Sequence, residues 1–539
     1  MKPYPLEATA GSRLGVLWAA LIAATAGALA VLAFPPFGLS PALVVSLAVL
    51  QGLLVGRRPG EGFVIGWSFG LGLLGFGIFW IRVSLNEFGN MGVWLAHLLT
   101  LIFIMAMALY YGLLGGLTAW LAGRRGGWAA PLLIFPALWV LLEWLRGWFL
   151  TGFPWLNAGD SQVEGPLAGY VPLLGVYGVS LLVALSAGLL WRLVAGDRVP
   201  GLARRLGLGS GLAPRLVPGA RGRRVRWALA GALALIWLAG LGLVRLEWTQ
   251  AAGEPFRAAV LQANIPQSLK WNEESLYPTL RAYVELTREA FDQGAQVIVW
   301  PETAIPEFLD RVREPLLEPL AAEAGEAGAH LVIGLPVLDY EEQTYFNGLI
   351  SLGAEGEDLY RKRHLVPFGE FMPWRSLLGP LAQAFAVPMS DFSAGDAERP
   401  LLRVGPHQVG ASICYEDAFP AEVIQALPEA AYLINVSNDA WFGDSLAPHQ
   451  HLGIARMRAL ETGRWLVRAT NTGISAIIDH RGQMRGTVPA FQRGLFSALV
   501  QPRTGSTPFV RFGNALPLGL ALAMLGAALL VGWWWRREA

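Results

Sequence analysis

Three residues with nucleophilic and acid–base chemistry stand at the ends of apolar runs in the C-terminal half of this 539-residue chain: Glu302, Lys362 and Cys414. Cys414 is the only cysteine, which excludes an internal disulfide. It is a packing residue, half of an intermolecular bridge, or a nucleophile. It closes the run Val409–Cys414, as Glu302 closes Val297-Ile298-Val299-Trp300-Pro301-Glu302. Lys362 follows Asp358-Leu359-Tyr360-Arg361 and is one of three lysines, with Lys2 and Lys270, among 41 Lys plus Arg. A Lys kept between Arg361 and Arg363 points to a task a guanidinium fills badly, such as donating to a developing oxyanion from a compact ammonium. The plainer readings are a helix N-terminal acid for Glu302 and a solvated basic run for Lys362. Together the three make a complete acyl-transfer set. The thiolate attacks an acyl carbonyl, the carboxylate takes the thiol proton and returns it to the leaving group, and the ammonium stabilises the tetrahedral oxyanion.

Such residues need a scaffold that converges on them. From Phe256 to Gln501, short β-branched runs alternate with helical patterns. Strands are expected at Phe256–Ala263, Gln296–Trp300, Leu331–Pro336, Gly348–Leu352, Val409–Cys414, Leu433–Ser437, Trp465–Thr470 and Ile474–Asp479. Helices are expected at Glu273–Phe291, Val312–Glu326, Ala421–Leu427 and His449–Thr462. This alternation suits one α/β domain with a buried sheet, whose strand ends gather ligand and catalytic groups. No Gly-x-Gly-x-x-Gly opens a helix, no phosphate loop is present, and no cofactor is expected.

The rest of the chain is membrane-like. Over the whole chain only 15% of residues are charged and 54% are hydrophobic, against roughly 25% charged in an ordinary soluble domain. Eight stretches read as spans: about 14–34, 38–55, 63–83, 92–121, 130–147, 171–193, 227–244 and 515–535. A cleaved signal peptide is the competing reading of the first. The expected domains are residues 1–246 with seven spans, 247–513 as a soluble catalytic part, and 514–539 with the eighth span and a tail. With the N-terminus in the cytoplasm, the loops left outside carry only Arg82 and Arg146, whereas Arg57, Arg58, Arg124, Arg125, the Arg-rich 196–226 segment, Arg536 and Arg537 all fall inside. Both termini are then cytoplasmic, and 247–513 is periplasmic or extracytoplasmic. The low charge density argues against nucleic acid as a partner. The 196–226 segment is expected to be flexible and to rest on anionic headgroups.

Around the three residues the sequence resembles the nitrilase (carbon–nitrogen hydrolase) superfamily, and in particular its membrane branch, the apolipoprotein N-acyltransferase family. The resemblance rests on Ile265-Pro266-Gln267-Ser268-Leu269-Lys270-Trp271, Trp300-Pro301-Glu302-Thr303, His364-Leu365-Val366-Pro367-Phe368-Gly369-Glu370, Ile413-Cys414-Tyr415-Glu416, Ser437-Asn438-Asp439-Ala440-Trp441-Phe442-Gly443 and Ala455-Arg456-Met457-Arg458-Ala459-Leu460-Glu461. In the membrane half, Leu145-Arg146-Gly147-Trp148 and Thr151-Gly152-Phe153-Pro154-Trp155 are similar to the family's loop after its fifth span. The resemblance implies a polytopic α-helical membrane domain of eight spans with an α-β-β-α sandwich inserted before the last. It implies Glu302 as base, Lys362 as oxyanion and orienting group, Cys414 as nucleophile, Glu370 as a further active-site carboxylate, and Tyr415 and Glu416 as supports of the nucleophile turn. Trp271 would lie near the lipid entry.

The implied reaction moves an acyl chain from a membrane phospholipid, commonly phosphatidylethanolamine, through a Cys414 thioester. The acceptor is the α-amine of a diacylglyceryl-cysteine on an apolipoprotein, in a bacterial inner membrane. A monomer suffices, since one chain holds all three residues. Two other functions compete: a membrane-anchored amidase that discharges to water, and a transporter or scaffold with an inert head. The loop aromatics Trp148, Phe153, Pro154 and Trp155 suit a lipid belt or lid, and Trp441 would shape the site. Glu143 and Arg146, three apart on one helix face, read as an ion pair or a headgroup contact. Asn438 and Asp439 shape the site or form a plain turn. Arg456, Arg458 and Glu461 read as structural pairs. His449-x-His451 lacks the companions of a zinc site, so no metal is expected.

Overall fold

The computed structural model describes residues 13–89, 91–123, 129–194, 220–376, 379, 391–396 and 398–538. The expectations for Arg124, Arg125 and the 196–219 part of the Arg-rich segment lie outside these residues. The chain divides into two compact units, one of Met1–Phe79, Leu98–Leu246 and Phe512–Ala539, the other of Trp80–His97 and Glu247–Arg511.

The first unit is helical. Helices Arg13–Ala33, Val93–Ala122, Pro166–Val194 and Gly222–Leu243 are long and apolar enough to cross a membrane, and Pro59–Gly77 followed by Ile81–Phe88 makes a fifth if that bent pair is one span. Eight such helices are not found among the described residues. Pro41–Leu54 and Ala515–Val531 are apolar but shorter, and fourteen residues rise only about 21 Å, short of a hydrocarbon core of roughly 30 Å. The 130–147 stretch is helical without a gap, a π-helical turn at Ala130–Ile134 running into the helix Phe135–Arg146. Small residues let these helices approach closely: a Cβ on Gly72 would lie 1.9 Å from the carbonyl oxygen of Ala24.

The second unit is a sandwich. Its first strands are β1 (Gln250–Ala251), β2 (Phe256–Gln262), β3 (Val297–Val299), β4 (His330–Asp339), β5 (Thr344–Gly353) and β6 (Gly356–Arg361). There follow β7 (Leu401–Val404), β8 (His407–Ile413), β9 (Leu433–Ser437), β10 (Leu466–Thr470), β11 (Ser475–Ile478), β12 (Met484–Val488), β13 (Gly494–Val500) and β14 (Arg503–Thr504). One six-stranded sheet runs β13-β2-β3-β4-β5-β6 and the other β12-β11-β10-β9-β8-β7, while β1 pairs with β14. The centres are parallel, β2-β3-β4 and β8-β9-β10. Central parallel strands are covered on both faces, which is why they read as continuous apolar runs.

The inner faces of the two sheets share one core: Ala258, Val260, Val299 and Val332 of the first meet Ile413, Ile434, Val436 and Val467 of the second. On the outside of the first sheet, helix Glu273–Asp292 presents Ala282, Tyr283, Leu286 and Ala290 at helical spacing. Tyr283 stacks on Trp300 at 4.8 Å, and each such large side chain contributes about 1.5–3 kcal/mol on burial. On the outside of the second sheet, helix Ala447–Thr462 packs Leu452, Ala455 and Ala459. The layers are therefore helix, sheet, sheet, helix.

The expected strands and helices are present with shifted ends, and β1, β6, β7, β12, β13 and β14 are additional. The expected helix Val312–Glu326 is interrupted by a π-helical turn at Arg313–Leu317, and Ala421–Leu427 is a short helix with a 3-10 turn. Cys414 does not close β8 but begins the 3-10 turn Cys414–Ala418.

Candidate active site

Both sheets deliver their polar strand ends to one place. Glu302 follows β3 and is nearly buried. Its Oε1 accepts from Asn347 Nδ2 at 2.7 Å and its Oε2 from the main-chain N–H of Asn438 at 2.8 Å. Each carboxylate oxygen is thus held by one donor and keeps a lone pair free. Lys362 follows β6, is 1% exposed, and is tied to β5 by its N–H donating to the carbonyl of Asn347 at 2.8 Å. Its Nζ lies 2.8 Å from Glu370 Oε1 and 3.6 Å from Glu302 Oε1. Burial works against the Lys362 charge, but Glu370 first and Glu302 second outweigh it and push its pKa above the ordinary lysine value. Glu370 also accepts from Asn347 Nδ2 at 3.1 Å and from the N–H of Val366 at 2.8 Å.

Cys414 has φ +53°, a left-handed conformation costly for a side chain with a Cβ. Its partly buried side chain feels the fields of Glu302 and Lys362. Burial, reinforced by Glu302, pushes the thiol well above its usual value, and Lys362 opposes this only in part. A thiol held in this way needs a base to remove its proton before it can act as a nucleophile.

The turn is pinned from below. Buried Glu416 accepts from the N–H groups of Ile413 (2.7 Å), Arg363 (2.7 Å) and His364 (3.0 Å) and from Tyr360 Oη (2.9 Å). One carboxylate therefore staples the segment after Lys362 to the turn that carries Cys414. Burial raises its pKa, against the field of Lys362 and the three N–H donors. Tyr415 is half-buried beside His364 and Phe419, with ring centroids 5.9 and 5.0 Å away.

A second buried cluster backs the same turn. His451 Nδ1 is 2.9 Å from Asp439 Oδ1, its Nε2 is 3.0 Å from Asp417 Oδ1 and 3.4 Å from the carbonyl oxygen of Cys414. Arg468 bridges Asp417 (3.2 Å) and Asp439 (3.1 Å) and donates to Asn435. Burial and Arg468 both disfavour charge on His451, yet Asp417 and Asp439 outweigh them and raise it to about 9. This histidine is an imidazolium wedged between carboxylates. Sequence reading did not foresee its partners, which lie 34 and 12 residues away. Asn347 and Lys270 were likewise not assigned to the site. Lys270 is buried and donates to the main-chain carbonyl of Glu302 at 3.2 Å.

Known proteins carry the same two parts. The carbon–nitrogen hydrolase family model matches residues 257–509, and the apolipoprotein N-acyltransferase N-terminal domain model matches residues 26–189. The chain is 42% identical over 511 residues to an apolipoprotein N-acyltransferase of Methylococcus capsulatus, covering 94% of this chain and 95% of that one. It is 42% identical to that of Nitrosomonas europaea, covering 95% and 96%, and 41% identical to one from Pseudomonas aeruginosa, covering 95% of each. The chain belongs to the apolipoprotein N-acyltransferase family.

In this N-acyltransferase the carbon–nitrogen hydrolase match encloses Glu302, Lys362, Glu370 and Cys414, and the N-terminal match encloses the aromatic loop. Of the candidate lipid contacts in the second unit, Trp271 is 59% exposed beside exposed Leu269, and Trp441 is 38% exposed against Phe88 at 5.4 Å. In the first unit of the acyltransferase, Trp148 is exposed and lies 5.3 Å from Trp144, while Phe153 stacks on Trp155 at 6.2 Å and meets Phe103 edge-on at 5.1 Å. Trp155 and Pro154 are buried and form the underside of that loop, not its surface.

Glu143 and Arg146 form no ion pair. Glu143 Oε1 accepts from the N–H of Ala158 at 2.7 Å and Arg146 Nη2 donates to Asn157 Oδ1 at 3.0 Å, so both anchor the return of the loop from inside. Arg458 Nε and Glu461 Oε2 lie 2.7 Å apart, and Arg456 Nε donates to the carbonyl of Gly482 at 2.8 Å.

Proposed function

We propose that this acyltransferase transfers an acyl chain from a phospholipid, through a Cys414 thioester, to the N-terminal amine of diacylglyceryl-cysteine on apolipoproteins. The observation that carries the reading is the match over nearly the whole chain to curated apolipoprotein N-acyltransferases. In the first half-reaction Glu302 takes the thiol proton as Sγ adds to the sn-1 ester carbonyl of the donor, phosphatidylethanolamine in this proposal. Lys362 Nζ, fixed by Glu370, donates to the oxyanion. Collapse breaks the ester C–O bond, Glu302 returns the proton to the leaving oxygen, and lysophospholipid departs. In the second half the acceptor nitrogen forms the amide bond, the C–S bond breaks, and the thiol is restored.

The same proposal sets the chain in the bacterial inner membrane as a monomer with eight spans. Shorter or broken helices such as Pro41–Leu54 count as spans in it. The termini are cytoplasmic and residues 247–513 face outward. Trp271 and Trp441 line the lipid approach, and Trp148, Phe153, Pro154 and Trp155 form a loop at the interface. Exposure of Trp148 and Trp271 supports this part of the reading.

Intact mass tests the chemistry. Purified enzyme incubated with phosphatidylethanolamine gains one hydroxylamine-labile acyl group, which a diacylated lipopeptide amine removes. Absence of the adduct, or its persistence in Cys414→Ala, sinks the proposal, and discharge to water alone favours an amidase.

A further inference from the structure

The two lysines of the site are held in opposite ways. Lys362 sits against two carboxylates, at 2.8 and 3.6 Å, and stays charged. Lys270 is 3% exposed and its Nζ has a single protein acceptor, the main-chain carbonyl of Glu302 at 3.2 Å. No carboxylate among the described residues lies within ion-pair distance of it. An ammonium buried on one neutral acceptor is costly, and the cost is relieved when an anion arrives or the proton leaves. Burial accordingly lowers Lys270 to about 8, although the fields of Glu302 and Cys414 favour its charge.

Its position fits a group that meets an incoming substrate. Lys270 lies in the turn following Ile265, between exposed Leu269 and Trp271. Gln267 Oε1, in the same turn, accepts from Asn438 Nδ2 at 2.7 Å, and the N–H of Asn438 holds Glu302. The ammonium is thereby registered to the catalytic carboxylate. Residue choice points the same way. Arginine cannot release a proton, and in a chain with 41 Lys plus Arg the only two lysines apart from Lys2 both stand in this site.

We propose that Lys270 is the proton acceptor of the second half-reaction: as a neutral amine it takes the proton that the acceptor's α-ammonium must shed before its nitrogen can attack the Cys414 thioester. This rests on the reading that Cys414 carries the acyl chain. The steps balance. One proton moves from the α-ammonium to Lys270. The freed lone pair forms the C–N bond while the C–S bond breaks, and Glu302 takes the second N–H proton and passes it to the sulfur. Lys270 then releases its proton to water as the product leaves. An ordinary α-amine titrates at about 7.7–8.0, so this transfer is nearly level in energy, the condition under which acid–base catalysis is most effective. The titratable groups whose fields reach Lys270 are Glu302, from the turn after β3, and Cys414, from the turn after β8.

The test follows loss of the acyl adduct by intact mass in the full-length enzyme, wild type against Lys270→Met and Lys270→Arg. Two acceptors are compared, a diacylated lipopeptide and 2,2,2-trifluoroethylamine, which is already neutral at neutral pH. The expected result is that discharge onto the lipopeptide at neutral pH falls by about 10-fold in both variants, the neutral fraction of an ordinary α-amine there being about a tenth, and by more than adduct formation falls. Discharge onto trifluoroethylamine changes little from wild type, and alkaline pH restores lipopeptide discharge. Wild-type lipopeptide discharge in Lys270→Arg would mean that charge alone suffices and would overturn the proposal. Equal slowing with both amines would overturn it as well, by reducing Lys270 to a structural part. A wild type that never forms the adduct overturns the acyl-carrier reading itself, and this proposal with it.

Discussion

Asn347 Nδ2 donates to Glu302 at 2.7 Å and, from the same nitrogen, reaches Glu370 at 3.1 Å. One side-chain amide in the middle of β5 therefore sets the spacing of the two carboxylates between which Lys362 rests. Asn347→Ala removes a hydrogen bond to each charged group, worth about 1.5–3 kcal/mol apiece. Thioester formation is expected to fall about 10- to 100-fold, together with a lowered melting temperature in detergent. Retention of the wild-type acylation rate would show that Glu302 and Glu370 are positioned without it.

Glu416 is a different kind of support, since it closes three N–H groups from two separate segments. Glu416→Ala leaves those donors buried without a partner, at about 1–3 kcal/mol each. The expected outcome is a marked loss of thermal stability together with loss of acylation. Tyr360→Phe removes only one of the four donors and is expected to lower stability by about 1 kcal/mol with acylation largely kept.

Gly334 lies on β4 directly behind Glu302: a Cβ there would stand 2.3 Å from the carbonyl oxygen of Pro301 and 2.8 Å from Cα of Glu302. Neither atom belongs to a flexible side chain, so Gly334→Ala must displace the Glu302 turn. Adduct formation is expected to collapse while Cys414 still reacts with an alkylating reagent. Parallel loss of both would indicate a global failure to fold instead.

The His451 cluster makes stability depend on pH with a definite sign. The folded value, about 9, stands above the ordinary histidine value. The contribution is therefore complete below about pH 6.5 and is lost as pH rises through about 9. A shift of this size is on the order of 3 kcal/mol. Wild type should lose melting temperature across that window relative to His451→Gln, which keeps one N–H donor group for the carboxylates but cannot titrate. A constant difference between the two at all pH values would rule out a charged His451.

Glu302, Lys362 and Cys414 were legible because each carries a local signal: a strand end, a Lys among Arg, a lone thiol. Asn347 carries none, for a single polar residue inside an apolar run reads as an outward face until the partner sheet is known. The same holds for Asp417, Asp439 and Arg468, whose charges are satisfied only by residues distant in sequence. Strands β12 and β13 were hidden because they lie toward the sheet margins, where Arg485, Thr487 and Ser497 break the apolar pattern. In the membrane half, composition registers apolar length but not where a helix begins, as at Pro41, the first residue of the fourteen-residue helix Pro41–Leu54.

Residues Trp80–His97 belong to the catalytic unit although they lie between two apolar helices in the chain. Trp80 meets Phe442 edge-on at 4.7 Å, and Ser84 Oγ donates to the carbonyl of Trp441 at 2.6 Å. These contacts brace the loop directly after Asn438 and Asp439. The hydrolase fold is thus not a separable module spliced into a membrane protein. Excising residues 247–511 would leave behind the segment that braces Trp441 and Phe442, so exchange of this domain with a free-standing relative demands that the 80–97 segment travel with it.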